Sequence, residues 1–161
     1  MSDQRHSGFE LAPIYIARPV LGTDAIEALC LDLGLDGPLD PHVTVISSRA
    51  PVDWDDEAFS PDQDLIEIVP QMASIRRFGA RGEFVALCLV APEIEARHER
   101  LREKGASRDY SDFHPHISLA VNWEGALPDT ILLKRPILLG PEDRKVPDFL
   151  ADLPQEPKPS I

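Results

Sequence analysis

The hydrophobic and polar positions of this chain repeat one order of elements twice: a strand, a helix and then further strands. Short apolar runs and apolar residues at every second position predict strands, whereas apolar residues three or four apart predict a helix. The predicted strands lie in 8–17, 41–46, 65–69, 72–78, 84–90, 115–120, 131–133 and 136–139. The predicted helices span 23–31 and 91–104.

Proline, glycine and polar residues mark where these elements should begin and end. Thr23 is a candidate N-cap for the first helix, and Pro92 fits the first turn of the second. Proline has no N–H to give to a neighbouring strand, so we expect Pro13 to restrict its strand to a sheet edge or to a late start. The segment 49–64, rich in Pro and Asp, is predicted to be a loop.

The repeated order predicts an α+β fold built from two similar halves. At 161 residues the chain is long enough for one domain with a sizeable core. We assign that domain to 1–153, with pseudo-duplicated halves at about 9–78 and 79–150. The proline-rich tail 154–161 is expected to be disordered.

Each half contains one short segment with the same pattern: Pro-His, an apolar residue, a hydroxyl residue and two apolar residues. The segments are Pro41–Ile46 and Pro115–Ala120. With five His among 161 residues and 13 Ser and Thr, about 0.4 His-x-hydroxyl pairs are expected by chance. Residues i and i+2 of a strand share a face, so His42 lies beside Thr44, and His116 beside Ser118.

Two such strands facing each other across a cleft would bring two imidazoles and two hydroxyls together. Histidine has the side-chain pKa nearest neutrality, so one imidazole can accept a proton while the other donates one. Thr44 and Ser118 could then hold the non-bridging oxygens of a phosphodiester. A ribose hydroxyl of the substrate would be the nucleophile, and no metal or other cofactor is required. The sequence leaves open which histidine is the base, and the structural alternative is two packed histidines.

Composition narrows the classes of partner. The net charge is −12, which disfavours duplex nucleic acid because duplex binding depends on Lys and Arg contacts to phosphates. No apolar run approaches the ~18 residues of a membrane helix, and the N-terminus has no apolar signal core. Cys30 and Cys88 lie in apolar settings outside any CxxC pattern, so we predict reduced thiols and a cytoplasmic location.

The two His-x-hydroxyl strands, one in each half, resemble the two-histidine (2H) phosphoesterase superfamily, which includes the 2′-5′ RNA ligase-like proteins and the cyclic phosphodiesterases. Three stretches are similar to a phage branch, the anti-CBASS phosphodiesterases, which destroy the cyclic oligonucleotide signals of bacterial defence. They are residues 39–54, residues 105–118 and Leu139–Glu142. One departure is Ser118, where Thr is commoner.

The resemblance implies two pseudo-symmetric lobes, each an antiparallel β-sheet with an outer helix, and an active-site cleft between them. It also implies metal-independent cleavage of 3′-5′ cyclic di- or trinucleotides, in the host cytoplasm if the chain is phage-encoded. The alternatives are a phosphodiesterase for 2′-5′ RNA or 2′,3′-cyclic phosphates, and a non-catalytic nucleotide sponge. Base preference, ring size, linkage and oligomeric state stay open.

Four further residues are candidate substrate contacts, each with a structural alternative. Tyr15 could stack on a base or be a half-buried strand residue, and Trp54 could belong to a lid or cap the core. Arg76, together with its neighbour Arg77, could offset phosphate charge or sit at an exposed strand end. From the resemblance, Glu142 could contact a base or ribose, or be a solvated carboxylate.

The remaining histidines give weaker signals. His114 and His116 form a His-x-His pair that could bind zinc, but no third or fourth ligand is evident, so no metal site is predicted. His6 and His98 are expected to be exposed.

Overall fold

Alternating burial along short apolar segments produces two antiparallel sheets in the computed structural model, which describes residues 11–37, 40–108 and 112–147. The strands of these ranges are β1 Leu11–Leu21, β2 His42–Asp53, β3 Ile66–Ile68, β4 Gln71–Phe78, β5 Phe84–Cys88, β6 His116–Val121, β7 Thr130–Leu133, β8 Ile137–Leu139 and β9 Asp143–Lys145. The helices are α1 Asp24–Leu33 and α2 Pro92–Glu103, and a 3₁₀ turn spans Glu57–Phe59.

The first sheet has the order β2-β1-β8-β3, with β9 also paired to β1, and the second has the order β6-β5-β4-β7. The edge strands β2 and β6 lie against each other. The two sheets therefore meet along the strands that carry the Pro-His segments. The predicted α+β class with two sheet-based lobes is confirmed.

The predicted halves do not coincide with the two sheets. The strand β4 falls in the predicted first half, 9–78, but pairs with β5 and β7 of the second sheet. The strands β8 and β9 fall in the predicted second half, 79–150, but pair with β1. Each sheet therefore contains strands from both halves of the sequence. Which strands pair depends on which are neighbours in space, and local periodicity does not specify those neighbours.

Two local predictions need correction. Pro13 does not delay its strand, since β1 begins at Leu11. Among the described strands, β1 is paired there with β2 alone, because its pairs with β9 and β8 begin at Tyr15 and Val20, and the register with β2 shifts between Ala12 and Ile14. That irregularity accommodates the missing N–H. The predicted loop 49–64 begins later, because β2 continues to Asp53, paired with Leu11. The tail 154–161, His6 and residues 8–10 lie outside the described residues.

The helix ends follow simple backbone chemistry. Gly34 ends α1 with φ of 81°, a left-handed conformation that glycine adopts without steric cost, and donates its N–H to the last turn. Pro92 begins α2 as expected. Thr23 is the N-cap residue of α1, but its hydroxyl donates to Glu27 Oε2 at 2.8 Å instead of accepting a backbone N–H.

The helix α2 packs on β2, and His98 is one of its contacts with that strand. His98 is buried, contrary to the prediction that it is exposed. Its Nδ1 donates to the Val45 carbonyl of β2 at 2.7 Å, and its ring stacks on Phe113 at 3.8 Å. Since β2 is an edge strand, this bond supplies a partner for a carbonyl of that edge. Burial lowers the pKa of His98, which keeps the ring neutral there.

No helix among the described residues has the length and apolar character needed to cross a membrane.

Candidate active site

His42 and His116 begin the two edge strands that lie side by side, and their ring hydrogen bonds are the same. His42 Nδ1 donates to the Asp40 carbonyl at 2.7 Å, and His116 Nδ1 donates to the His114 carbonyl at 2.8 Å. A carbonyl only accepts, so each Nδ1 carries a proton. The reactive atom of both rings is therefore Nε2, a base when the ring is neutral and an acid when it is charged.

The repeated proline explains why the two rings are held in the same way. Asp40 precedes Pro41 and His114 precedes Pro115, and a residue before proline is restricted to extended backbone conformations. That restriction fixes the direction of the carbonyl that each imidazole uses. The Pro-His dipeptide thus fixes the tautomer and the orientation of its own imidazole ring.

The hydroxyl residues of the two motifs lie on the same side of their strands as the imidazoles. Thr44 is half-buried, and its Oγ1 is 2.8 Å from the Tyr15 hydroxyl. Lys145 of β9 lies over the Tyr15 ring, 5.3 Å from its centroid. Tyr15 is therefore next to the first motif, whereas Lys145 was not predicted because the short strand β9 has no apolar pattern.

The second motif lies on a polar face of the second sheet. His116 pairs with Cys88, and Cys88 pairs with Ser74; Ser118 pairs with Ala86. Directly opposite residues of an antiparallel pair share a face, so this face carries the second motif together with the thiol and hydroxyl. The Phe78 ring, 5.0 Å from the His116 ring, bounds the site on one side.

Arg76 lies on the same face, since it pairs with Ala86 of β5. It lines a cavity of about 290 Å³ that also includes Ser74, Cys88, His114 and Thr130. Of the four predicted substrate contacts, Tyr15 and Arg76 are thus adjacent to the histidine motifs.

The electrostatic environment distinguishes the second histidine. Burial lowers the pKa of His116 below its ordinary value of 6.5, and the nearby His42 and His114 charges lower it further, against the opposing effect of its backbone hydrogen bond. At neutral pH His116 is therefore the neutral ring, with its Nε2 lone pair available.

We expect the His116 ring to titrate below pH 6.5 in the folded protein, because burial disfavours its charged form. Ring-carbon NMR shifts recorded against pH, assigned with a His116→Gln variant, measure this midpoint. The urea-unfolded chain, titrating near 6.5, is the control. The unfolded state then binds more protons, so the free energy of unfolding should fall as pH drops below about 6.5. A titration midpoint of His116 above that of the unfolded chain would contradict the lowered pKa that burial gives this ring.

Trp54 lies against the core. Its Nε1 donates to the Pro13 carbonyl at 3.1 Å, the Arg144 guanidinium stacks 4.4 Å from a ring centroid, and the indole packs on the buried apolar cluster. These contacts match the predicted alternative, a residue that caps the core. Its assignment as a substrate contact has no support from this position.

Glu142 is placed away from the histidine motifs. Its carboxylate is buried and accepts from Arg97 Nε at 2.9 Å, from Arg97 Nη2 at 3.0 Å and from the Asp62 N–H at 3.0 Å. Arg18 Nη2 lies 3.8 Å from Glu142 Oε2. Arg18 pairs with Val43 of β2, so its side chain lies on the face of the first sheet that does not carry His42. The carboxylate is neither solvated nor facing the motifs, which corrects both readings of this residue.

A metal centre receives no support from side-chain clustering. Across 11–37, 40–108 and 112–147, no three His, Cys, Asp or Glu side chains gather closely enough to hold a metal ion. His114 instead lines the cavity, and its carbonyl accepts from the His116 ring.

Comparison with known proteins decides the family. The sequence pattern of the family described as "Anti-CBASS protein Acb1" matches residues 12–146. The chain belongs to this family. The resemblance to the anti-CBASS proteins is thereby confirmed.

Two relatives carry the same description. The Sphingomonas paeninsulae protein is 28% identical over 116 residues, which are 67% of this chain and 18% of that protein. The protein of Vibrio phage KVP40 is 30% identical over 127 residues, 77% of this chain and 75% of that protein. The chain thus spans under a fifth of the first relative and three quarters of the second.

Escherichia coli LigT, crystallised with 3′-AMP, has the same fold. The TM-score is 0.51 at 16% identity, covering 84% of this chain and 98% of LigT. At this identity the likeness is one of architecture, two lobes of antiparallel sheet.

Proposed function

We propose that this chain is a metal-independent phosphodiesterase that cleaves 3′-5′-linked cyclic di- or trinucleotides and so removes the signals of CBASS defence. The observation that carries the proposal is the pair of identical Nδ1 bonds to backbone carbonyls, which leave two Nε2 atoms available on neighbouring strands. Membership of the anti-CBASS Acb1 family supports the biological role.

In the proposed reaction, His116 Nε2 takes the proton of a ribose 2′-hydroxyl. The 2′-oxygen attacks the adjacent phosphorus and forms an O2′–P bond while the P–O5′ bond breaks. His42 Nε2–H gives its proton to the departing 5′-oxygen, so the products are a linear chain with a 2′,3′-cyclic phosphate and a 5′-hydroxyl. The low pKa of His116 supports its role as base. The two imidazoles supply both proton transfers, so the scheme calls on no metal.

Thr44 and Ser118 are assigned to the two non-bridging oxygens. Each is two residues beyond its histidine on the same strand face. Charge builds on these oxygens in the transition state, and oriented hydroxyl donors stabilise it there. The Tyr15 hydroxyl, in contact with Thr44 Oγ1, orients that donor, and its ring is the proposed surface for a base.

A non-catalytic sponge is the weaker alternative. Binding alone does not need two imidazoles with the same fixed tautomer, whereas a proton relay does. The fold shared with LigT, seen with 3′-AMP, fits a nucleotide ligand in either case. The phage relative fits action in the host cytoplasm.

We expect cleavage of 3′-5′ cyclic di- or trinucleotides in the presence of EDTA, and no cleavage of the 2′-deoxy counterparts, because they lack the proposed nucleophile. Chromatography of the products, with mass spectrometry for the 2′,3′-cyclic phosphate end, measures both results. Equal cleavage of the deoxy compounds would mean attack by water. Activity lost in EDTA and restored by zinc or manganese would contradict the metal-independent scheme. Cleavage of only 2′-5′ RNA or 2′,3′-cyclic phosphates would refute the anti-defence role.

A further inference from the structure

The cavity beside His116 has the chemistry of a second anion site. Residues of the polar face of the second sheet line it, and one of them, Cys88, is the direct partner of His116. Two hydroxyl residues line it together, Ser74 and its partner Thr130. Hydroxyls and a guanidinium on one wall are the donors that bind phosphate oxygens.

Arg76 supplies the positive charge of this cavity. It is exposed, and no carboxylate among the described residues lies within ion-pair distance of it. Burial raises the pKa of the Cys88 thiol, despite the Arg76 charge and a Ser74 hydrogen bond, so the thiol adds no negative charge. Glu95 and His114 also line the cavity.

The neighbouring Arg77 is different. In a strand, successive side chains alternate between faces, and the Arg77 guanidinium donates to the Trp123 carbonyl at 2.6 Å and the Gly125 carbonyl at 3.0 Å. Its donors are therefore engaged in holding a loop. Of these two adjacent arginines, Arg76 lines the cavity, whereas Arg77 is bonded to the loop carbonyls.

The register sets the spacing between Arg76 and the second motif. Ser118 and Arg76 flank the same residue, Ala86, on opposite sides. Strands lie about 4.8 Å apart, so the two backbones are roughly 10 Å apart, and alanine leaves the space between their side chains open. A molecule with one phosphate at Ser118 can place a second group over Ala86 toward Arg76.

We propose that Arg76, together with Ser74 and Thr130, binds the second phosphate of a cyclic oligonucleotide, the one that is not being cleaved. This inference rests on the proposed function and deepens it. A ring of two or three nucleotides carries a further phosphate, whereas a linear 3′-5′ dinucleoside monophosphate has only one. The second site therefore selects oligonucleotide rings over linear molecules with a single phosphate.

The test compares Arg76→Gln with the matched control Arg77→Gln. We expect Arg76→Gln to lower kcat/KM for a cyclic dinucleotide about 10- to 100-fold, the range for losing a hydrogen bond to a charged group. Its kcat/KM for a 3′-5′ dinucleoside monophosphate, which has the 2′-hydroxyl nucleophile but a single phosphate, should not change. Arg77→Gln should behave as the unmodified protein with both substrates.

A second readout separates this inference from the proposed function. Calorimetry with the 2′-deoxy cyclic dinucleotide measures binding without turnover, and Arg76→Gln should weaken it by the same factor. If no cyclic dinucleotide is cleaved but this binding persists and depends on Arg76, the function fails and the second site stands. Equal effects of Arg76→Gln on both substrates, no effect on either, or no binding by the unmodified protein would each overturn the second site.

Discussion

Replacing His42 or His116 with alanine is expected to lower kcat/KM for a cyclic dinucleotide by about 100-fold or more in each case, with the fold retained. Each ring performs one proton transfer of the proposed reaction, and neither can replace the other because each is fixed through Nδ1 to its own strand. Steady-state kinetics with matched circular dichroism and urea unfolding curves measures activity and fold together.

The control for the first histidine is Asp40→Ala. His42 bonds to the Asp40 backbone carbonyl, which alanine retains, so this variant should have activity close to that of the unmodified protein. The double variant His42→Ala/His116→Ala should lose much less than the product of the single losses, because residues that act as a unit are not additive. Near-normal turnover in either single variant would make that imidazole a packing residue.

The parts of the site that were predicted are those encoded locally. A Pro-His dipeptide at the start of a strand determines its local geometry. Proline fixes the direction of the preceding carbonyl, and strand periodicity places the hydroxyl residue beside the imidazole ring. The identification of His42, Thr44, His116 and Ser118 as one group needed only the two repeated segments. Their assignment as catalytic residues remains a prediction.

The parts that were missed depend on contacts between distant segments. His98 has no local signal for burial, since its neighbours along α2 are charged, and its contacts with the Val45 carbonyl and the Phe113 ring come from distant segments. The pairing of Ser74 with Cys88, and of Cys88 with His116, follows from strand order, which periodicity does not specify. The place of Pro13 within β1 depends on a register shift that only the partner strand reveals.

Glu142 is the clearest case of a residue whose surroundings reversed its assignment. Its segment resembles a family pattern, and a carboxylate there could contact a base or ribose. The structure instead encloses it between Arg97 of α2 and Arg18 of β1. Arg18 also donates to Asp62 at 2.8 Å and to the Gly140 carbonyl at 2.8 Å. These ion pairs join the helix that packs on β2 to β1 of the first sheet.

We expect Glu142→Gln to lower the free energy of unfolding by about 3–5 kcal/mol, the cost of removing one partner from a buried ion pair. Arg18 is 1% exposed and Arg97 12%, so both guanidiniums would keep their charge with little water to replace the lost carboxylate. Urea titration followed by circular dichroism measures the change. The control is Glu99→Gln, which removes the exposed partner of Arg108 at 3.7 Å, and such surface pairs are worth at most about 1 kcal/mol.

The same variant separates a structural role for Glu142 from a substrate contact. A buried ion network predicts a large loss of stability, while kcat/KM at low temperature, where the variant is still folded, stays near that of the unmodified protein. A substrate contact predicts the reverse, unchanged unfolding with a raised KM. Unchanged unfolding with a raised KM would assign Glu142 to the nucleotide site. Because Arg97 reaches Glu142 from α2 and also donates to the Ala58 and Ser60 carbonyls, Arg97→Gln should reproduce the loss of stability if the network is what holds α2 in place.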